Sequence, residues 1–166
     1  GPVGAIPHHR GISYTPWDND LVGDPWASTA LEESLDDLAR TGANWTALNI
    51  FEFQETLSST QIAPRLDKYS TDAASIEKAV NELHDRGINV LLKPNVDVAD
   101  GQWRGFIPDS PDWFAGYRDF IYGWAEWAED HGVGALSVGT EFRDTVDAET
   151  SWKQVISGIR ARYSGP

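Results

Sequence analysis

The sequence has 166 residues, enough for one domain with a hydrophobic core, and its 40% hydrophobic and 23% charged residues are typical of a soluble globular protein. The formal net charge of −13 argues against nucleic acid or an anionic membrane surface as a partner, because binding to phosphates needs a basic face. The absence of cysteine excludes disulfide bonds, thiolate zinc sites and thiol catalysis, and no apolar run approaches the roughly 20 residues of a membrane-spanning helix.

Residues 1–10 are interpreted as a leader, and residues 11–166 as a single folded domain. The opening Gly1-Pro2 is typical of the remnant of a cleaved tag. His8 and His9 can bind a metal as a pair, but solvent exposure in such a leader is the more frequent outcome. The acidic loop that follows Pro16 lacks the ligand spacing of an EF-hand, so the sequence predicts no metal and no other cofactor.

Four strand-then-helix units follow in strict alternation. Apolar, β-prone runs predict strands over 11–14, 45–51, 88–94 and 135–138. Helices with apolar residues at helical spacing follow each strand; Asp72 and Ser110 are predicted caps, and the predicted terminating glycines are Gly42, Gly87 and Gly132. This alternation predicts an α/β fold with a parallel sheet, right-handed crossovers and outer helices.

Polar and aromatic residues accumulate after the predicted strands, which is the ligand-binding edge of a parallel α/β sheet. Glu141 follows the fourth strand in the sequence Gly139-Thr140-Glu141. Its position favours a catalytic acid, with the alternative that it only starts a polar loop. The other candidates are Trp17 after the first strand, Glu52 after the second, and Lys93, Asn95, Asp97, Trp103 and Arg104 in and after the third.

Five stretches together resemble glycoside hydrolase family 113, whose members are retaining glycosidases with a (β/α)8 barrel and are known as β-mannanases. The stretches are 11–14, 41–45, 92–98, 100–105 and 138–141. The resemblance implies a (βα)4 half of a TIM barrel and a carbohydrate partner, β-mannan or a related glycan. It also implies that Glu141 is the general acid/base and that positions near the sugar subsites are occupied by Lys93, Asn95, Asp97, Trp103 and Arg104. Asn95 departs from the family, in which a histidine is expected.

Trp17 and Trp103 are candidates for stacking on sugar rings, with core or lid packing as the alternative. Arg104 and Lys93 are candidates to bind sugar hydroxyls, or to pair with neighbouring carboxylates. Glu52 is a candidate substrate-binding residue and, with Asp97, a candidate for a nucleophilic carboxylate.

The chain is shorter than a full barrel of ~250 residues. The resemblance places the family's nucleophilic carboxylate on a seventh strand, which this sequence does not contain. A four-stranded parallel sheet also leaves two open edges, so we expect a homodimer that closes an eight-stranded barrel. In that dimer Asp97 of a second copy would take the place of the nucleophile; the alternative is that Asp97 orients Lys93 or Arg104 through an ion pair.

Three functions are therefore compatible with the sequence. The first is a glycoside hydrolase, the second a non-catalytic carbohydrate-binding half barrel, and the third an inactive half-barrel scaffold. The residues leave localisation open, although the resemblance to extracellular polysaccharide-degrading enzymes favours secretion.

Overall fold

A computed structural model of the chain describes residues 9–15, 26 and 30–166. Within these residues four strands form one parallel sheet in the order β1-β2-β3-β4, and a helix follows each strand, as predicted for an α/β fold. The strands are β1 (Gly11–Tyr14), β2 (Trp45–Gln54), β3 (Asn89–Val98) and β4 (Ala135–Leu136). The helices are α1 (Ala30–Arg40), α2 (Ala73–Asp85), α3 (Pro111–Asp130) and α4 (Glu149–Arg160).

The predicted helix boundaries are confirmed where local chemistry determines them. The Asp72 carboxylate accepts a hydrogen bond from the Ser75 amide at 2.9 Å, and the Ser110 hydroxyl accepts one from the Trp113 amide at 3.1 Å. Each bond satisfies one amide that the first helical turn leaves unpaired. The glycines that follow α1, α2 and α3 have positive φ angles of 77°, 70° and 62°, a conformation that suits glycine; they are Gly42, Gly87 and Gly132.

The strand lengths differ from the predicted ones. β2 and β3 pair in register over ten residues each, so β2 continues to Gln54 and β3 to Val98. Glu52, Asn95 and Asp97 therefore lie inside strands rather than in the loops after them. β4 is shorter than predicted, with two paired residues, and Val138 is 36% exposed. β4 is an edge strand of this sheet, whereas β2 and β3 each pair with a strand on both sides.

The two faces of the sheet have different environments because side chains alternate along each strand. On the helix face, Leu48, Leu92 and Val96 are fully buried and belong to the main hydrophobic core with α1–α4. On the opposite face, called the inner face here, Asn49 lies beside Lys93 and Phe51 beside Asn95. Polar residues on this second face explain why the sequence pattern of β3 loses its continuous apolar run after Leu92.

The long loop between β2 and α2 folds back onto the sheet. Ala63 and Phe53 exchange two backbone hydrogen bonds of 2.8 and 3.0 Å in an isolated antiparallel bridge. Tyr69 then packs edge-on against Phe51 and Phe53, with ring centroids 5.2 and 4.9 Å apart. These contacts place the end of the loop over the inner face. Among the described helices, none has the length and apolar character needed to cross a membrane.

Candidate functional site

The carboxyl ends of the strands surround a cavity of about 210 Å³ on the inner face, called the mouth here. Four of the residues predicted from the sequence lie in its lining, namely Lys93, Asn95, Arg104 and Glu141. The remaining lining residues are Ser13, Thr15, Asn49, Phe51 and Thr140. This is the edge of a parallel sheet at which α/β proteins bind their ligands.

Glu141 lies in the turn that follows β4. Its φ of 59° is in the left-handed region, which residues other than glycine rarely adopt. The next residue, Phe142, is buried against the rings of Trp113 and Tyr117, and the Tyr117 hydroxyl donates a hydrogen bond to the carbonyl of Val138 at 2.9 Å. These contacts hold the backbone on both sides of Glu141, whose side chain lines the mouth and remains 56% exposed.

Arg104 connects the polar residues of the mouth. Its Nη2 atom lies 2.9 Å from Asp97 Oδ1, its Nη1 atom donates to Asn95 Oδ1 at 3.2 Å, and its Nε atom lies 3.5 Å from Glu141 Oε2. The Arg104 side chain is 13% exposed, so these charge interactions are weakly screened by water. Arg104 Nε and Thr140 Oγ1 are buried without a hydrogen-bond partner among the described residues.

Asp97 is held by two partners in this chain. Besides its ion pair with Arg104, Asp97 Oδ2 accepts a hydrogen bond from the Tyr69 hydroxyl. Burial raises the pKa of Tyr69, and the hydrogen bond to the Asp97 carboxylate raises it further. The phenol therefore stays protonated at neutral pH and keeps donating. These contacts are those of the predicted alternative, in which Asp97 orients Arg104.

Asn95 uses its amide within the protein. Its Nδ2 donates to the carbonyls of Lys93 at 2.8 Å and Ile50 at 3.1 Å, while its Oδ1 accepts from Arg104. The side chain is 3% exposed. This position needs both a donor and an acceptor, which an amide supplies without a titrating group. Lys93 differs, because no hydrogen bond or ion pair engages its ammonium group among the described residues.

Trp103 lies at the rim of the mouth and is 43% exposed. Its indole N–H points at Glu141 Oε2 at 3.4 Å, and its ring packs edge-on against Phe106 with centroids 5.2 Å apart. The Arg143 guanidinium lies 5.2 Å from the centre of the indole ring. An exposed ring fixed in this way is able to stack on a sugar. The predicted Trp17 lies outside the described residues.

Glu52 does not lie in the mouth. It lies on the helix face of β2, where its Oε1 accepts a hydrogen bond from the indole N–H of Trp124 on α3 at 3.0 Å. Its residue partner on β3 is the fully buried Val96, which also faces the helices. The sequence analysis named Glu52 as a candidate carboxylate at the end of β2; in the structure β2 continues to Gln54, and alternation turns this side chain away from the mouth.

Five lining residues of the mouth were not predicted as site residues, namely Ser13, Thr15, Asn49, Phe51 and Thr140, and neither was Tyr69, which contacts Asp97. Tyr69 comes from the loop between β2 and α2, and only the length of that loop indicated a role. Thr140 was noted as a neighbour of Glu141, without a role of its own. Among the described residues no group of three or more histidine, cysteine, aspartate or glutamate side chains is placed to hold a metal ion.

The fold is thus a half barrel of four parallel strands with a polar, aromatic site at their carboxyl ends. The model of Glycoside Hydrolase Family 113 matches residues 16–166, and the chain belongs to this family. A search of curated protein sequences gives no significant match.

Solved structures agree with this assignment. The family 113 β-mannanase AaManA from Alicyclobacillus acidocaldarius, in complex with ManMIm, aligns with a TM-score of 0.84 and 26% identity over 97% of this chain and 53% of that chain. A complex of a family 113 β-1,4-mannanase aligns with a TM-score of 0.78 and 23% identity over 84% of this chain and 48% of that chain. A cellulase–inhibitor complex, at 14% identity and a TM-score of 0.60, shares the fold alone. The chain spans about half the length of the mannanase structures it matches, and the predicted half of a TIM barrel is confirmed.

Proposed function

We propose that this chain forms the acid/base half of a glycosidase site that binds β-mannan or a related glycan, with Glu141 as the general acid/base. The observation that carries the proposal is the position of Glu141 at the carboxyl end of β4, beside Arg104 and Trp103 in an open cavity. The names of the similar β-mannanase structures support the choice of substrate class.

In this proposal four lining residues of the mouth and Trp103 at its rim have a chemical task. The Glu141 carboxyl protonates the glycosidic oxygen as the bond breaks, and the carboxylate later removes a proton from the attacking water. Lys93, Arg104 Nε and Thr140 Oγ1 donate hydrogen bonds to sugar hydroxyls, since no other group among the described residues occupies them by a hydrogen bond. Trp103 stacks on a sugar ring at the rim.

Retaining hydrolysis also needs a second carboxyl group, about 5–5.5 Å from the first. We propose that a second copy of the chain supplies it as Asp97, in a homodimer that closes the barrel. The positions of β1 and β4 at the two ends of the described sheet support this. So does an apolar cavity of about 290 Å³ on the inner face, lined by Trp45, Ala47, Leu91 and other residues at the amino ends of the strands.

The solution mass tests the dimer. Size exclusion with light scattering across protein concentrations is expected to give twice the mass of 18.4 kDa. A monomer at tens of micromolar would contradict the homodimer and with it the composite site.

A second candidate function is a half barrel that binds carbohydrate without hydrolysis. The contacts of Asp97 favour it, because both carboxylate oxygens are already engaged by Arg104 and Tyr69. A carboxylate held in this way is better suited to fix the guanidinium than to attack an anomeric carbon.

Binding and turnover of β-1,4-mannotetraose separate the two functions. Hydrolysis that is lost in Glu141→Gln and in Asp97→Asn supports the composite glycosidase. Binding without turnover, reduced by Trp103→Ala, supports the binding module. The absence of both would overturn the proposal and leave the inactive scaffold.

A further inference from the structure

The partly buried carboxyl of Glu52 has no role in the mouth, because it lies on the other side of the sheet. Its Oε1 accepts the indole N–H of Trp124, and no hydrogen bond or ion pair engages Oε2 among the described residues. Desolvating a carboxyl group that has a single hydrogen bond costs free energy, and groups with this kind of environment are concentrated at functional sites. A functional role requires an accessible space beside the carboxyl.

Two cavities meet at Glu52 and Trp124. The first, called the aromatic groove here, has a volume of about 230 Å³ and is completed by Phe120, Gly123 and Trp127. The indole rings of Trp124 and Trp127 are inclined at 69° with centroids 5.6 Å apart, and both are partly buried. An ideal Cβ on Gly123 would meet nothing within 4 Å, so the groove is open at this point.

The second cavity, called the Thr71 cavity here, has a volume of about 190 Å³. Thr71 lies in its lining and is 5% exposed, and its Oγ1 atom is buried without a hydrogen-bond partner among the described residues. Native proteins rarely leave a buried hydroxyl unpaired, since desolvation without a partner costs free energy. Thr71, with its unpaired hydroxyl, and Glu52 thus line the same cavity.

These groups match a ligand with hydroxyl groups and an apolar face. A hydroxyl and a carboxyl exchange hydrogen bonds with sugar hydroxyls, and an indole packs on the C–H face of a sugar ring. An organic cation would also pack on indole rings. However, the unpaired hydroxyl of Thr71 favours a ligand that exchanges hydrogen bonds; burial raises the pKa of Glu52, with partial opposition from the Trp124 hydrogen bond.

We propose that the space around Glu52, Thr71 and Trp124 is a second glycan-binding site, on the helix face of the sheet and separate from the mouth. The choice of a mannose-based ligand rests on the proposed function. The site would hold a glycan chain to the protein without taking part in bond cleavage, because it lies across the sheet from Glu141.

Two indole N–H groups report on the two sites separately. The N–H of Trp103 lies at Glu141 in the mouth, and the N–H of Trp124 lies at Glu52. Their signals in ¹⁵N-labelled protein can be assigned from Trp103→Phe and Trp124→Phe. Titration with β-1,4-mannotetraose is expected to move the Trp124 signal with saturation, both in the wild type and in Glu141→Gln.

Thr71→Val keeps the shape of the side chain and removes only the unpaired hydroxyl. It is expected to weaken the affinity measured at Trp124 at least fivefold and to leave the affinity measured at Trp103 unchanged. Trp127→Ala, at a partly exposed position, is also expected to weaken the affinity measured at Trp124 and to leave the affinity measured at Trp103 unchanged. This variant replaces Thr71→Val in the test if Thr71→Val fails to fold.

The two proposals fail in different ways. A shift of Trp124 without one of Trp103 supports the helix-face site and contradicts the mouth. A shift of Trp103 alone, or an unchanged Trp124 affinity in both variants, overturns the second site. A Trp124 shift caused by tetramethylammonium and not by mannotetraose also overturns it, since the site would then select cations.

Discussion

Asp97 and Arg104 form an ion pair whose two side chains are only 14% and 13% exposed, with Oδ1 and Nη2 2.9 Å apart. The same guanidinium reaches Asn95 and Glu141, so the pair links β3 to the turn after β4. Arg104 therefore connects Asp97 and Asn95 on β3 with the proposed acid/base, Glu141.

The first prediction concerns the strength of this pair. A double-mutant cycle with Asp97→Ala and Arg104→Ala is expected to give a coupling of about 1–3 kcal/mol in the free energy of unfolding by denaturant. Each single variant leaves a charge without its partner, so each should be destabilised by about 3–5 kcal/mol. The pair Arg40–Asp37, with side chains 69% and 78% exposed, is the control and should give a coupling near zero. Equal couplings in the two cycles would contradict the structural role of Asp97.

The second prediction concerns the backbone at Glu141. Because φ is 59° there, Glu141→Gly should be more stable than Glu141→Ala by about 1 kcal/mol, as glycine adopts the left-handed region without a steric cost. Thermal unfolding of the two variants measures this difference. At Glu77, exposed in the middle of α2, the order should reverse, with the alanine variant the more stable. The same order at both positions would mean that Glu141 is not held in this conformation.

The third prediction compares two glycines of α3. An ideal Cβ on Gly116 would lie 1.8 Å from the carbonyl oxygen of Thr60, so Gly116→Ala must displace the loop between β2 and α2. We expect a loss of about 1–3 kcal/mol in unfolding free energy. At Gly123 a Cβ meets nothing within 4 Å, and Gly123→Ala should stabilise α3 by up to about 1 kcal/mol. A neutral Gly116→Ala would show that the loop does not pack on α3 as described.

The fourth prediction concerns pH. Burial raises the pKa of Glu52 above its ordinary 4.5, so the folded protein holds this proton to higher pH than the unfolded chain. The contribution of Glu52 to stability therefore falls as pH rises from about 4.5 to its folded pKa. Glu52→Gln lacks this loss, so its stability relative to the wild type should increase through that window, as measured by urea unfolding at several pH values.

Asp100 gives a control of opposite sign. Hydrogen bonds from Gln102 lower the pKa of Asp100 below 3.8, so its stabilising contribution is present above pH 3.8 and is lost as pH falls through the folded pKa. Asp100→Asn should therefore lose stability relative to the wild type as pH rises through that window. If Glu52→Gln followed the same course as Asp100→Asn, Glu52 would not be desolvated.

Local signals in the sequence were sufficient to predict where the helices begin and end. A cap such as Asp72 bonds an amide three residues away, and a glycine such as Gly87 supplies its own backbone angle, so neither depends on distant parts of the chain. Lys93, near the end of the predicted third strand, and Arg104, in the loop after it, were named as candidates from the alternating α/β pattern, and both line the mouth. Glu141 was named as a candidate from its position after β4 and from the family resemblance, and its side chain lines the mouth.

Long-range contacts were not readable from the sequence. The end of β2 depends on its ten-residue pairing with β3, and this longer strand places Glu52 on the helix face rather than in the loop after the strand. Tyr69 reaches Asp97 from 28 positions away because the loop bridge at Phe53 folds it back. The sequence near Tyr69 contains no pattern that marks this partner.

The strands that surround the mouth differ in the number of residue pairs that join them. Ten residue pairs join β2 to β3, but only two join β3 to β4 among the described residues. Short edge ladders open with a smaller free energy than central strands. Amide protons of residues 137–141 should therefore exchange with deuterium well before those of β2 and β3. A glycan bound in the mouth would slow this exchange first, so protection of that segment would report occupancy even in a protein that cleaves nothing.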